Sequence, residues 1–372
     1  MGVAERCFSM NELKFDPALN LPLLLRYNKK TVTSFLEEKN VSSYFFFGFA
    51  RDALHEGLRA IGFGSQDCSV LVPSYICNAI LPPLRELGLR IVFYDTLLNL
   101  EPNIDDLERK IDETTKAILF VNYFGFPSKM KELKEIADKR NLLIVEDNAH
   151  SFLSENNCEL LGSRGDIGIS SFRKTFPVPN GAVLYVKEHL MNKIDHASIC
   201  SKTSNTKIIE TYRRFLFLLI SNYDITNRSL DIGKRMSNLM SSNQNSEFNG
   251  FISPLSLKII NNSDFDKIAN RRRKNFLLYI RKLEVGGLEP IFEKLDSGVV
   301  PWVFPALAKN PNKVRDTLAR LKIPTSTWPD LPIDIREATN FQNSRFLAQH
   351  LITLPVHQNI DSNLLAKVLD NQ

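Results

Sequence analysis

The sequence predicts an α/β protein: a large domain with a mainly parallel central sheet flanked by helices, followed by a smaller C-terminal α/β domain. Three observations carry this. Apolar runs of four to six residues alternate with helical patterns through the first half of the chain, the signature of βαβ units in a parallel sheet. The 372 residues are long for one core and suit two domains, which we place at 1–260 and 261–372. The stretch 142–181 sets an acid and a lysine at the ends of two successive apolar runs, and open α/β sheets bind ligands beyond their strand ends.

The elements follow in order. An N-terminal arm leads to a helix near 30–39. Residues 44–47 read as a buried strand or turn, and Gly48 breaks the chain before a helix over 50–61, with Ala53, Leu54, Leu58 and Ile61 on one side. A helix starting straight after a glycine aims backbone N–H groups at one spot, an anion site to which Arg51 adds charge. A capped helix with Arg51 in water fits equally well. A strand over 69–72 stops at Pro73, a helix spans 76–87, and a strand over 90–94 ends at Asp95. Asn103 opens a helix to about 111, with Asp105 and Asp106 in its first turn. The strand 117–121 precedes a helix over 129–140, capped by Ser128.

The strand 142–145 then ends in Glu146 and Asp147, and after the turn GSRGD a strand over 167–172 ends just before Lys174. An Asp and a Lys held together there suit pyridoxal phosphate (PLP): the lysine bonds the cofactor and the carboxylate keeps its pyridine nitrogen protonated. After the strand AVLYV come helices over 187–199 and 206–221, a polar Ser- and Asn-rich segment over 222–250, and a long helical pattern over 254–283. The last part holds a strand over 300–307, a helix over 313–321, and the segments WPDLP (328–332) and LPVHQ (354–358), where Trp328 and His357 are notable.

Composition narrows the function. The 43% hydrophobic and 24% charged content is that of a soluble globular protein. A net charge of +5 is too small to argue for nucleic acid, and the run Arg271-Arg272-Arg273-Lys274 reads as a solvated or phosphate-facing helix side. The five cysteines (Cys7, Cys68, Cys77, Cys158 and Cys200) form no disulfide framework and fit a reducing cytoplasm. The six histidines show no metal-ligand spacing, so no metal is assigned. The N-terminus is too polar for a signal peptide, and no apolar run is long enough for a membrane span. G-x-G-x-x-G after the first strand and the P-loop pattern are absent, which weakens dinucleotide and nucleoside-triphosphate readings.

A resemblance rests on pieces in fixed order: GFARDAL (48–54), VPSYIC (72–77), TTKAILFVNYFGFP (114–127), VEDNAHSF (145–152), GSRGDIGISSFRK (162–174) and NGAVLYV (180–186). Together they resemble the DegT/DnrJ/StrS family, PLP-dependent sugar aminotransferases of the aspartate-aminotransferase fold. The resemblance implies that Lys174 holds PLP, that Asp147 partners the pyridinium nitrogen, and that His150 sits beside the phenolic oxygen. It implies a phosphate cup of Ser171 and the backbone N–H groups of Ala50 and Arg51. Cys77 occupies the place where the family usually stacks an aromatic on the ring, with Tyr75 nearby. The spacing SFRK is shorter than in many members, and the glycine pair after the lysine is reduced to Gly181-Ala182. The implied activity moves an amino group from an amino acid, glutamate by resemblance, to a keto group of a nucleotide-linked deoxysugar, in amino-sugar or surface-polysaccharide biosynthesis. A homodimer is implied as well, with 222–250 and its Arg228, Lys234 and Arg235 expected to close the partner's site.

Three alternatives stay open. A dehydratase of the same family replaces the lysine with histidine, so Lys174 argues against it. A cysteine desulfurase needs an activated cysteine, for which Cys158 is the candidate. A non-catalytic regulatory member would not need the intact set Lys174, Asp147 and His150.

Overall fold

The structure is a computed structural model that describes residues 30–64, 67–194 and 250–372, with 13, 14, 16, 17, 19, 22–25 and 215. The expected helix at 206–221 (residue 215 apart), residues 195–199 of the helix expected at 187–199, and the segment 222–249 with Arg228, Lys234 and Arg235 lie outside the described residues, as do Cys7 and Cys200; within 187–194 a short helix spans Glu188–Met191.

Helix α1 (Val32–Glu38) starts where Thr31 and Ser34 cap one another reciprocally. It is followed by β1 (Tyr44–Phe47), α2 (Ala50–Ala60), β2 (Ser69–Pro73), α3 (Leu81–Glu86), β3 (Arg90–Tyr94) and α4 (Ile104–Arg109). Next come β4 (Thr115–Val121), α5 (Met130–Arg140), β5 (Leu143–Asn148), β6 (Ile167–Ser171) and β7 (Ala182–Val186). These seven strands make one sheet in the order β1-β7-β6-β5-β4-β2-β3. All pairings from β6 to β3 are parallel, and β7 runs antiparallel to both its neighbours.

Both faces of the sheet are covered. Along β4, Ala117, Leu119 and Val121 join one apolar cluster while Ile118 and Phe120 join another, as the two-residue period of a strand requires. The first cluster includes α2 through Ala53, Leu54 and Leu58, and the second includes α5 through Leu133, Ile136 and Ala137. In β5, Val145 belongs to the α2 face and Ile144 to the α5 face. Asp147 therefore faces the α2 side and Glu146 the α5 side.

The C-terminal part contains α6 (Pro254–Asn261), α7 (Phe265–Lys282), β8 (Leu288–Pro290), β9 (Val303–Ala308), α8 (Pro311–Arg320), α9 (Gln342–His350), β10 (Leu351–Pro355) and α10 (Ser362–Leu369). Its three strands form an antiparallel sheet, β8-β9-β10. The same apolar cluster that packs α2 onto the large sheet continues through Phe276, Tyr279, Phe304 and Leu354.

Several expectations are corrected. The helix foreseen over 76–87 is a 3₁₀ turn (Asn78–Ile80) followed by α3, because Pro82 and Pro83 suit only the first turn of a new helix. Ser128 does not cap α5; Lys129 holds that position, and the Ser128 N–H donates to Asn122 Oδ1 at 3.1 Å. The pattern over 254–283 breaks into α6 and α7 where Asp264 caps the second helix through the Lys267 N–H. In the basic run on α7, Arg272 is buried, Arg271 and Arg273 are half-buried with their guanidinium groups donating to backbone carbonyls, and Lys274 is exposed. Among the described residues no helix is long and apolar enough to cross a membrane, and no group of three or more His, Cys, Asp and Glu is placed to hold a metal.

Candidate active site

The site is built around β5, whose last residues serve opposite faces. On the α5 side Glu146 is fully buried and saturated with donors. Arg164 gives it Nη2 at 2.6 Å and Nε at 2.9 Å, the Arg164 and Gly165 N–H groups add bonds of 2.8 and 3.0 Å, and Asn122 Nδ2 adds one of 2.8 Å. The turn GSRGD thus wraps a carboxylate. Gly168 of β6 lets that turn close: a Cβ there would lie 1.6 Å from the Gly162 carbonyl oxygen.

On the α2 side Asp147 is 4% exposed, and among the described residues its carboxylate accepts one bond, from the Ala149 N–H at 2.8 Å. Burial raises its pKa, against the lowering effects of that hydrogen bond and of the Lys174 charge. Lys174 lies in the 3₁₀ turn Phe172–Lys174 that follows β6. Burial pushes its ammonium down to about 8, while Cys77 and Asp147 pull the other way and Arg173 adds to the lowering. The lysine and the aspartate come to one edge of the sheet, as the sequence predicts, and Cys77 joins them from the loop after β2.

An aromatic wall surrounds the amine. Lys174 Nζ lies 4.4 Å from the ring centre of Trp302 and 5.8 Å from that of Trp328. His150, 2% exposed, lies 4.9 Å from the Trp302 ring and 4.5 Å from the Trp328 ring. Its Nδ1 accepts the Phe124 N–H at 2.8 Å, which leaves the proton on Nε2 and makes the neutral ring a donor there. Burial and the Lys174 charge hold the imidazole well below its usual pKa. Tyr75 is fully buried, donates its hydroxyl to the Trp328 carbonyl, and accepts the Tyr123 hydroxyl on its own carbonyl at 2.5 Å.

The N-terminus of α2 forms a second part. The Asp52 and Ala53 N–H groups close on the Phe49 carbonyl, so Ala50 and Arg51 carry the open N–H groups of the first turn. The Phe49 ring is flanked by the guanidinium groups of Arg51 at 5.2 Å and Arg173 at 5.7 Å, which ties this helix end to the Lys174 turn. Arg51 Nε is buried without a hydrogen-bond partner and lies 3.8 Å from Asp52 Oδ1. Ser171 is half-buried at the end of β6, paired with Ala182, and its register puts it on the same face as Ile169 and Asp147. Cys158 is exposed in the turn of the hairpin Glu155–Asn156 and Glu159–Leu160, with a φ of 65°.

Sequence reasoning missed Trp302, Arg173, Arg272 and Gln358. The two tryptophans are the only ones in the chain and both lie against the amine, so their rarity was a usable signal. Arg272 also had one: with Ile268, Asn275, Phe276 and Tyr279 it falls on the buried stripe of α7. His357, noted in the sequence, is buried and bonded through Nε2 to the Lys14 carbonyl at 2.9 Å, and burial lowers its pKa to about 4.

Comparison with known proteins fits this geometry. The chain is 30% identical over 165 residues to GDP-perosamine synthase of Escherichia coli O157:H7, a match covering 44% of this chain and 45% of that one. The chain spans about half the length of the curated relatives it matches. The solved sugar aminotransferase CalS13 from Micromonospora echinospora superposes with a TM-score of 0.69 at 18% identity, covering 97% of this chain and 98% of that one. E. coli GDP-4-keto-6-deoxy-D-mannose-3-dehydratase with bound hydrated PLP superposes at 0.65 and 16% identity, covering 96% and 100%. At such identities these two likenesses establish the fold. Residues 33–236, more than half of the chain, match the DegT/DnrJ/EryC1/StrS aminotransferase family as a whole. The ordered motifs, the sheet and this match agree: the chain belongs to the DegT/DnrJ/EryC1/StrS aminotransferase family.

Proposed function

We propose that the protein is a PLP-dependent aminotransferase that moves an amino group from an amino acid, glutamate by family resemblance, to a keto group of a nucleotide-linked deoxysugar. The observation that carries the reading is the pair Lys174 and Asp147: a buried amine lowered to about 8, beside a buried carboxylate, at the strand ends of a parallel sheet.

The residues fit the cofactor. Lys174 would attach it, Asp147 would face its pyridine nitrogen, and the His150 Nε2–H would donate to its phenolic oxygen. The N–H groups of Ala50 and Arg51 would take the phosphate, with the Arg51 guanidinium adding positive charge beside the same anion. Ser171 lies on the correct face for that cup but carries the least support. Bound there, PLP supplies an electron sink that stabilises the carbanion left when an amino acid loses its α-proton. Lys174 Nζ, whose ordinary basicity burial lowers, would take that proton from the donor Cα and hold it for return. The Asp147 charge would keep a proton on the pyridine nitrogen, and the side chains of Trp302, Trp328 and Phe124 would keep water from the amine. Donor and acceptor use one site in turn, so ping-pong kinetics follow.

The reading extends to a cytoplasmic homodimer in which 222–250 closes the partner's site. Mixing Lys174→Ala with a variant neutralised at Arg228, Lys234 and Arg235 tests it, because only shared sites restore activity in hybrid dimers. The central experiment is an absorbance spectrum of the purified protein, borohydride reduction and peptide mapping. An adduct on Lys174 is expected. A protein that takes up no PLP, or an adduct on another lysine, ends the reading, and sugar dehydration or sulfide release in place of amino transfer redirects it.

A further inference from the structure

Arg272 is 2% exposed and sits on the buried stripe of α7. Its Nη2 donates to the carbonyls of Lys174 at 3.0 Å and Thr175 at 3.2 Å. Its Nη1 donates to the carbonyls of Pro301 at 3.3 Å and Trp302 at 3.2 Å. Nε donates to Gln358 Oε1 at 3.1 Å, and Gln358 Nε2 returns to the Thr175 carbonyl at 3.0 Å. One guanidinium therefore holds two backbone segments, the turn after β6 and the lead into β9. The residues it grips, Lys174 and Trp302, are the two whose side chains meet, with Nζ 4.4 Å from the indole ring centre. A buried cation is a poor way to fill space, since an apolar side chain of similar volume commonly packs as well or better. The planar fork is what lets one side chain serve both segments.

We propose that Arg272 is a positioning residue for Lys174: it fixes the lysine's turn against the Trp302 segment and so keeps the amine out of water. The proposal rests on Lys174 being the reactive amine of the proposed function. The groups facing that amine are Asp147 from β5, Cys77 from the loop after β2, Arg173 from its own turn, and His150. Loosening the clamp admits water to Nζ and lets the amine return toward its ordinary, more basic value.

The test reads the amine directly. Full-length protein freed of bound cofactor is labelled with trinitrobenzenesulfonate from pH 6 to 11, and the rate at Lys174 is followed by peptide mapping. The wild-type midpoint is expected at about 8. In Arg272→Met and in Arg272→Lys it should rise by about one unit, so that labelling at pH 8 falls about fivefold. The lysine variant keeps the charge but cannot fork across both segments. Gln358→Leu removes only the lateral support and should shift the midpoint the same way by less. If Arg272→Met does not fold, the other two variants decide. Unchanged midpoints in Arg272→Lys and Gln358→Leu overturn the proposal. Full amino transfer by Lys174→Ala would instead overturn the functional reading, a result the labelling midpoints cannot mimic.

Discussion

Glu146 and Asp147 are adjacent on one strand, both buried, and they face opposite sides of the sheet. Glu146 is enclosed by five donor bonds from Arg164, Gly165 and Asn122. Asp147 has one backbone donor and a lysine whose own charge is suppressed by burial. A carboxylate that is fully satisfied holds a scaffold in place, whereas one that is under-satisfied keeps interaction energy in reserve for a ligand. The contrast separates the scaffold acid from the one proposed to face the cofactor more sharply than burial does, since burial is nearly equal.

The comparison can be broken first on its reactive side. Lys174→Ala should lower amino transfer by at least about 10³-fold while the far-ultraviolet circular dichroism stays that of the wild type. Residual wild-type turnover would place the chemistry elsewhere. On the structural side, Arg164→Met leaves a buried carboxylate without its cation and should cost about 3–5 kcal/mol in denaturant unfolding. A loss below about 1 kcal/mol would show that Glu146 is no more a scaffold than Asp147.

Asp147→Asn sharpens the contrast because it should act in two directions. The donor half-reaction, followed by stopped-flow absorbance, should slow by about tenfold or more, far beyond the effect of Asp147→Glu. The cofactor-free Asn variant should melt at a higher temperature than the wild type near pH 8, since burial disfavours the Asp147 charge. Glu146→Asn should only destabilise. A subtler effect comes from pH. The Lys174 amine titrates near 8 in the folded chain and at about 10.4 when unfolded, so the unfolded chain binds more protons between those values. Cofactor-free wild type should therefore gain stability relative to Lys174→Met as pH rises from 8 to 10, on the order of 1–3 kcal/mol. The smallest effect is expected for Ser171→Ala: a change in cofactor affinity of no more than about threefold, measured by fluorescence titration.

The sequence made the large sheet legible because its strands are short apolar runs with both faces buried, and each sits between helices of regular period. It made Lys174 and Asp147 legible for the same reason: strand ends have a known side. The C-terminal contributions were harder to read. Trp302, Arg272 and Gln358 lie roughly 100 to 200 residues from the turn they support, and nothing local in their surroundings points to Lys174. Of the basic run on α7 Arg272 departs from the solvated reading, and its spacing on the apolar stripe sets it apart from Arg271, Arg273 and Lys274. Ser128 was misread because the helix starts one residue later, which puts Lys129 and not Ser128 at the capping position.

The approach of Gly168 to the Gly162 carbonyl bears on how such a site drifts over generations of change. Ala50, Arg51 and Cys77 are half-buried, which leaves their side chains room to change. Gly168 has no such latitude. Any side chain there would meet the carbonyl oxygen at 1.6 Å, lift the turn from β5 and strip Glu146 of its donors in one step. That one position is thus closed to single substitutions, and descent with change must route around it.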